Sequence, residues 1–429
     1  MDRGEMLVKL TDISPSSAFG ENALSTKNDY VLFALIEEDW AGMRGKSFHD
    51  HLGFVPDAVM LVHPRNLEDV YQRCGYLRDF DTKERTDFLE NLWPLVLDKA
   101  TYNGKNILVL TLPLLPEYWF PVIDDREKHR HFKEVREARW NDILTILKYM
   151  EEKIGPYPII LGALTGRMSK FLTKSGIKSP LISGIHLTPH IIEQMIDDIA
   201  EMTGESPSDY HIAIVGGAGQ MGRSILDWIV GMEEYGEITV IETDEKRLDG
   251  IRDIAYEGSK VTLSTDIRDI RDADILIVAT AAAGAIIDQS ILSPGTIVID
   301  DTHPSNIAQN IPRSRNLVLR VMAKVPGLDY HFPMDQFGPE ESVTCFAEGC
   351  IIAHDIDTFK RYTEPIDENG EDIIVGKESF ATLAVGNMAD ELGIVNTTFR
   401  DKHGIVTDDE IIKMRVIKQN VASDWSKTF

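Results

Sequence analysis

The chain has 429 residues, and 70 Asp and Glu against 44 Lys and Arg give it a formal net charge of −26. A balance so acidic, with no basic stripe, argues against nucleic acid as the main partner, because phosphate backbones are held by clustered cations. Three cysteines, Cys74, Cys345 and Cys350, fit a reducing cytoplasm and not a disulfide framework. Neither CxxC nor HExxH occurs to point to a metal. The longest apolar run, around Ile107–Leu115, is broken by Thr111 and Pro113 and is too short to span a bilayer. The N-terminus lacks a basic region followed by an apolar core, so no secretory signal is expected.

Residues 1–55 read as an N-terminal extension with a polar stretch at Ser14–Asn28. Residues 56–205 read as an α/β substrate-binding domain. Strands are expected at Ala58–His63, Asn106–Thr111 and Tyr157–Gly162, with helices through Arg73, over Asp125–Lys153 and over Thr188–Met202. Pro189 suits the first turn of the last helix, where its missing N–H costs little. The stretch Arg126–Arg139 is rich in Arg, Lys and His and is a local candidate for docking an acidic partner.

Residues 206–322 carry the strongest pattern. His211–Val215 is an apolar strand running into Gly216-Gly217-Ala218-Gly219-Gln220-Met221-Gly222 and then an amphipathic helix through Met232. Gly217, Gly219 and Gly222 fill GxGxxG: the first permits the turn, the second admits a pyrophosphate, the third packs helix on strand. The diphosphate then meets backbone N–H groups at the positive end of the helix dipole. Glu237–Glu242 reads as the second strand, with Glu242 and Thr243 at the adenosine ribose. Asp272–Thr280 and Gly295–Asp300 are further buried strands, and Thr280 with Ala281 closes the crevice. This central part is a Rossmann-type parallel sheet, and the fold class is α/β. Residues 323–429 read as mainly helical.

Several separated stretches resemble the cyanobacterial-type long-chain fatty acyl-[acyl-carrier-protein] reductases, which release fatty aldehydes. They are His63–Gly75, Leu114–Glu117, Leu161–Thr165, Gly184 with Thr188, the Gly-rich loop, Ile299–Asn306 and Thr344-Cys345-Phe346-Ala347-Glu348. They occur in family order over residues 57–395. The resemblance implies that Cys345 attacks a thioester carbonyl to form an acyl-enzyme, which a reduced nicotinamide converts to aldehyde. It also implies an acyl carrier protein or acyl-CoA as donor, and NADPH as cofactor. The residues depart from it at one point: Glu242-Thr243-Asp244 occupies the turn where a 2′-phosphate would sit, which favours NADH, although Lys246 and Arg247 follow.

A cysteine in a helix's first turns feels the dipole, which lowers a thiol pKa from about 8.5 into the range of about 3.5–7.5 in favourable sites. Phe337–Cys345 reads as a loop entering a helix with Pro339 near its start, while Glu340 and Glu341 oppose thiolate formation. The opposing reading is a small buried hydrophobe, and Cys74 and Cys350 are expected in that role. His303, in a strand-end loop, is the first candidate general acid and His186, before a helix, the second. Thr165 and Gly166 are candidate donors to the carbonyl oxygen, and Glu117 a structural carboxylate. Two other readings stay open: a dehydrogenase of the shikimate or glutamyl-tRNA reductase kind without covalent catalysis, and an NAD-binding regulatory protein. Oligomeric state is open too.

Overall fold

The computed structural model describes residues 54–426 apart from 74, 93, 121–124, 233–234, 253–260, 281, 283, 303–304, 331–337 and 358–376. Nearly all of the expected N-terminal extension, and Cys74, therefore lie outside the described residues. The chain divides into two compact units, one of residues 1–183 with 327–335, the other of residues 184–326 with 336–429.

In the first unit the chain runs β1 (Ala58–Val62), α1 (Leu67–Arg73), α2 (Thr82–Asn91), β2 (Leu95–Tyr102), β3 (Lys105–Thr111), α3 (Arg126–Ile154), β4 (Ile159–Leu161), α4 (Ser169–Lys174) and β5 (Leu181–Ile182). The sheet order is β2-β3-β1-β4-β5, with β2 antiparallel to β3 and the other pairings parallel. β2 is absent from the sequence reading. It is joined to β3 by Asn103-Gly104, both at positive φ (48° and 76°), the backbone that a two-residue hairpin requires. Parallel strands buried on both faces read as unbroken apolar runs, as in Ala58–Leu61 and Ile107–Leu110. α3 begins where the Asp125 carboxylate accepts from the Glu127 and Lys128 amides. It buries Ile143, Ile146, Leu147 and Met150 against the sheet's core. Strand order reverses between β1 and β4, so the loops leaving their carboxyl ends flank a switch point, where ligands of open α/β sheets bind.

The second unit begins with α5 (Leu187–Thr203) and continues through β6 (Ile212–Val215), α6 (Gln220–Met232), β7 (Ile238–Ile241), α7 (Glu245–Arg252), β8 (Val261–Ser264), β9 (Ile275–Val278), β10 (Ile297–Asp300) and β11 (Leu317–Arg320). These strands form one parallel sheet in the order β11-β10-β9-β6-β7-β8, the doubly wound arrangement with its reversal between β6 and β9. A small antiparallel sheet follows from β12 (Ala323–Lys324), β13 (Glu341–Ser342) and β14 (Val395–Asn396). The remaining elements are α8 (Thr344–His354), α9 (Lys377–Glu391), the hairpin β15 (Arg400–Asp401) and β16 (Gly404–Ile405), and α10 (Asp408–Ser426).

The sequence places α5 at the end of the first domain, but it falls in the second unit. The reason is its packing: Ile191, Ile192, Met195, Ile196 and Ile199 are inaccessible, and α6, α8, α9 and α10 all contact it. The C-terminal helices thus belong to the same unit as the dinucleotide sheet.

α10 docks on the sheet's amino end through Lys418. Its Nζ donates to Arg271 O (3.1 Å) and Thr296 Oγ1 (3.2 Å), and burial pulls its pKa down to about 8. Arg415 beside it pairs with Glu205 (2.5 Å) and Asp274 (2.6 Å). A lysine whose folded pKa lies below its unfolded value binds fewer protons when folded between the two. Its contribution to stability therefore rises as pH climbs from about 8 towards the unfolded value of about 10.4. Denaturant unfolding of the wild type and of Lys418→Met across that window should show wild-type stability gaining on the variant; parallel curves would contradict a depressed Lys418.

Candidate functional site

The Gly-rich loop leaves β6 at the switch point. Gly216 has φ of 86°, and a Cβ there would lie 2.8 Å from Ala279 O at the end of β9. A Cβ at Gly217 would meet Val240 Cγ1 at 2.4 Å, and one at Gly222 would meet Gly216 O at 2.2 Å. The turn is closed by Gly219 N donating to Gly216 O (2.9 Å), and Gln220 and Met221 open α6 directly after it. No side chain larger than hydrogen fits at Gly216, Gly217 or Gly222, so the loop backbone lies bare beside a helix N-terminus. That arrangement fits a dinucleotide diphosphate.

Glu242 stands just beyond β7, almost buried. Its carboxylate accepts from Asp244 N (3.1 Å) and lies 3.6 Å from the exposed Arg247 guanidinium. Arg247 therefore leans on Glu242. Thr243 is exposed next to it. At the end of β9, Thr280 Oγ1 donates to Asn306 Oδ1 (3.2 Å) and accepts from Ala282 N. Asn306, fully buried, also donates to Ala282 O and Gly284 O. It thereby shapes the strand-end loop opposite Gly216, a role the sequence reading did not assign. Ala281 lies outside the described residues.

Asp300 and Asp301 end β10 at the same edge of the sheet. The Asp300 carboxylate accepts from Thr302 N, Thr302 Oγ1 and Ser305 Oγ, yet burial still holds its pKa above the ordinary range. Burial, with the Asp300 charge beside it, pushes Asp301 up to about 8. His303, which follows, lies outside the described residues.

Cys345 is the second residue of α8, whose first residue is Thr344; the turn carrying Pro339 precedes β13, so the helix starts later than expected. Cys345 is half-buried, whereas Cys350 is wholly enclosed and burial raises its thiol far above the ordinary value. That matches Cys350's expected packing role. Glu341, expected to oppose a thiolate, is paired with Arg400 at 3.1 Å, which offsets its charge.

Against Cys345 lies Gly184. Its φ is 71°, and a Cβ built on it would sit 2.3 Å from Cys345 Cβ and 2.7 Å from Cys345 Cα. The loop that Gly184 opens leads into α5, and Glu348, one turn after Cys345, holds it. Glu348 is fully buried, and its Oε2 accepts from His186 N (2.7 Å) and Leu187 N (2.8 Å). Its Oε1 has no hydrogen-bond partner among the described residues. Burial raises the Glu348 pKa, while those N–H groups pull the other way. A second tie is the buried hydroxyl pair Thr188–Thr344 at 2.6 Å. On its other side the loop meets α6, because Ser224 Oγ donates to Ile185 O (3.2 Å). One loop therefore joins the nucleotide-binding helix to the cysteine helix. His186, half-buried at the N-cap of α5, stands in that loop with Nδ1 3.4 Å from Thr382 Oγ1.

In the first unit the Thr165 hydroxyl has a structural place. The Thr165 hydroxyl donates to Leu61 O (3.1 Å) and Gly162 O (2.8 Å) and is wholly buried. It fastens the loop after β4 and is not presented to a carbonyl, so its expected catalytic role is withdrawn. His63 is fixed by Pro64 O at Nδ1 and Leu164 N at Nε2, and burial lowers its pKa to about 4. Glu117 is exposed in a single-turn helix. Among the described residues no group of three or more His, Cys, Asp or Glu is placed to hold a metal ion, and no helix is long and apolar enough to cross a membrane.

Residues 198–323 match the shikimate/quinate 5-dehydrogenase family model. The long-chain acyl-[acyl-carrier-protein] reductase of Synechococcus elongatus is 22% identical over 171 residues, 38% of this chain and 49% of that protein. The match thus spans about half the length of that relative. Among solved structures, L-tryptophan dehydrogenase from Nostoc punctiforme covers 87% of this chain and 90% of its own at 12% identity and a TM-score of 0.28. A putative malic enzyme covers 90% and 94% at 13% identity and a TM-score of 0.34. Likeness at such scores carries no inference about function. The Gly-rich loop and the family model together mark an NAD(P)-dependent oxidoreductase with a shikimate-dehydrogenase-type nucleotide-binding domain.

Gly184→Ala should destabilise the protein by about 1–3 kcal/mol, because a left-handed backbone and a backbone collision are imposed together. Denaturant unfolding measures this, and a variant as stable as wild type would contradict the close approach to Cys345.

Proposed function

We propose that the protein reduces a fatty acyl thioester to an aldehyde through an acyl-enzyme on Cys345, with NADH as the electron donor. The observation that supports this most is the loop Gly184–Leu187, tied at Ile185 to Ser224 of the nucleotide-binding helix and at His186 and Leu187 to Glu348 of the cysteine helix. It gives a nucleophile and a dinucleotide loop one shared support within one unit. The distant likeness to an acyl-[acyl-carrier-protein] reductase supports the thioester substrate.

Cys345 supplies the nucleophile. It is the second residue of α8, a helix of 11 residues, and so belongs to the first turn, where the helix dipole has its positive end. The thiolate forms a bond to the thioester carbonyl carbon, the carbon–sulfur bond to the carrier breaks, and the carrier leaves as a thiol after taking one proton. His186 is the donor we assign, because its loop abuts Cys345 through Gly184. When bound, a reduced nicotinamide supplies the hydride that converts the acyl group to aldehyde and returns Cys345 to its thiolate. Gly216, Gly217, Gly219, Gln220, Met221 and Gly222 hold the diphosphate, and Glu242 accepts from the ribose. The Glu242 charge disfavours a 2′-phosphate, and Arg247 offsets it only in part from an exposed position. The acyl donor is a carrier protein or coenzyme A.

The family model favours a second reading, in which hydride passes directly to or from a small substrate without covalent catalysis. Cys345→Ala separates the two. Aldehyde formation from acyl thioesters should fall at least about a thousandfold, the scale of losing a nucleophile, while NADH affinity stays within about twofold. In the wild type, kcat/KM should favour NADH over NADPH by about tenfold, corresponding to about 1.4 kcal/mol of repulsion. Undiminished turnover in Cys345→Ala would overturn the covalent mechanism.

A further inference from the structure

Within the second unit, α9 packs on α5 and meets two histidines of that helix start. Thr382 stands against His186, and one turn further along α9 Gly386 lies against the ring of His190. A Cβ at Gly386 would come within 3.1 Å of His190 Nδ1 and 3.2 Å of its Cγ, so the imidazole rests on the helix backbone. Only 12% of the His190 side chain is exposed.

His190 Nε2 has two partners that ask opposite things of it. Gln194, one turn on in α5, brings its Nε2 amide to 3.0 Å, and that amide is oriented because its Oε1 accepts from Asn396 N (2.7 Å). Asp390 of α9 brings Oδ1 to 3.1 Å. An imidazole nitrogen accepts when bare and donates when protonated. A neutral ring with its proton on Nδ1 therefore takes the Gln194 N–H and stays tied within α5. An imidazolium releases Gln194 and donates to Asp390, which ties α5 across to α9.

On the other side of the ring, Nδ1 lies 3.5 Å from Glu193 Oε2, which is itself held by Trp228 Nε1 of α6 (2.8 Å). Glu193 from α5 and Asp390 from α9 are the charged groups that face the imidazole. α6 adds the Trp228 ring, edge-on at 6.4 Å between centroids, and β14 adds the Asn396 backbone behind Gln194. Among the described residues no charge from α8 or α10 pairs with His190. A proton on this ring thus sits between two carboxylates of different helices, and its loss leaves them on either side of a neutral group. Burial opposes the charged form, but Glu193 and Asp390 outweigh it and hold the His190 pKa above the ordinary value.

We infer that His190 is a proton-operated clasp between α5 and α9: protonated, it fastens α9 beside His186, and deprotonated, it lets go of Asp390 and turns back to Gln194. The clasp is independent of the thioester reading, because it concerns how the unit is closed and not what it reduces. A histidine with a raised folded pKa contributes its stabilisation fully below the unfolded value of about 6.5 and loses it as pH rises through the folded value. α9 therefore loosens towards alkaline pH.

Hydrogen exchange of the full chain between pH 6 and pH 9, read by mass spectrometry and corrected for the intrinsic exchange rate, tests this. In wild type the protection of α9 peptides should fall by at least about threefold over that range, while peptides of β6 and β9 hold theirs. Asp390→Asn, at a position more than half exposed, removes the acceptor charge without disturbing the core and should flatten the α9 profile. His190→Gln should flatten it as well, at the low protection that wild type reaches at pH 9; if that variant does not fold, Asp390→Asn decides alone. Protection that is level with pH in wild type overturns the clasp. So does a fall that persists in either variant, because the proton would then be acting elsewhere than between His190 and Asp390.

Discussion

The buried carboxylate of Glu348 is the constraint that fixes the start of α5 against α8. A fully enclosed carboxylate is costly unless hydrogen-bonded. Here it receives the backbone N–H groups of His186 and Leu187, which α5 itself leaves without intrahelical acceptors. The same side chain thus caps one helix while belonging to another. Because Glu348 follows Cys345 by one turn, α5 and α8 are locked start to start, and the Thr188–Thr344 hydroxyl pair repeats the lock in the core. Removing the carboxylate would leave two buried donors unmet, at about 1–3 kcal/mol each.

That lock gives Gly184 its significance. The loop approaches Cys345 so closely that no Cβ is tolerated, and its backbone at Gly184 is left-handed. The carbonyl of Ile185, next along, takes the Ser224 hydroxyl of α6. The cysteine helix and the nucleotide-binding helix are thus both hydrogen-bonded to the backbone of Ile185–Leu187. In physical terms the Gly184–Leu187 segment is held between the cysteine helix and the helix after the Gly-rich loop by side-chain hydrogen bonds to its main chain.

Much of this was legible in the sequence where the signal is local. The spacing of Gly217, Gly219 and Gly222 after an apolar strand predicts the loop, because each glycine answers a steric demand within a few residues. The position of Cys345 near a helix start was also readable, although the helix begins at Thr344 and not near Pro339. Short or half-polar strands escaped: β8 (Val261–Ser264) is partly exposed, β11 (Leu317–Arg320) alternates, and β2 carries Asp98 and Lys99 within its run. The one local sign of the β2–β3 hairpin is Asn103-Gly104, whose positive φ values suit a two-residue turn. Contacts such as Gly184 with Cys345 join residues far apart in the chain, and no local pattern encodes them. Thr165 shows the converse: a hydroxyl in a promising loop turned inward, where it is a second donor to the carbonyls of Leu61 and Gly162, which already accept backbone N–H groups.

The most direct test is whether Cys345 carries the acyl group. The protein is mixed with a long-chain acyl thioester in the absence of any reductant, quenched in acid, and weighed intact and as peptides by mass spectrometry. The mechanism predicts one acyl increment per chain, located on the peptide containing Cys345 and discharged by adding NADH. A chain that keeps its unmodified mass while making aldehyde once NADH is supplied would contradict it.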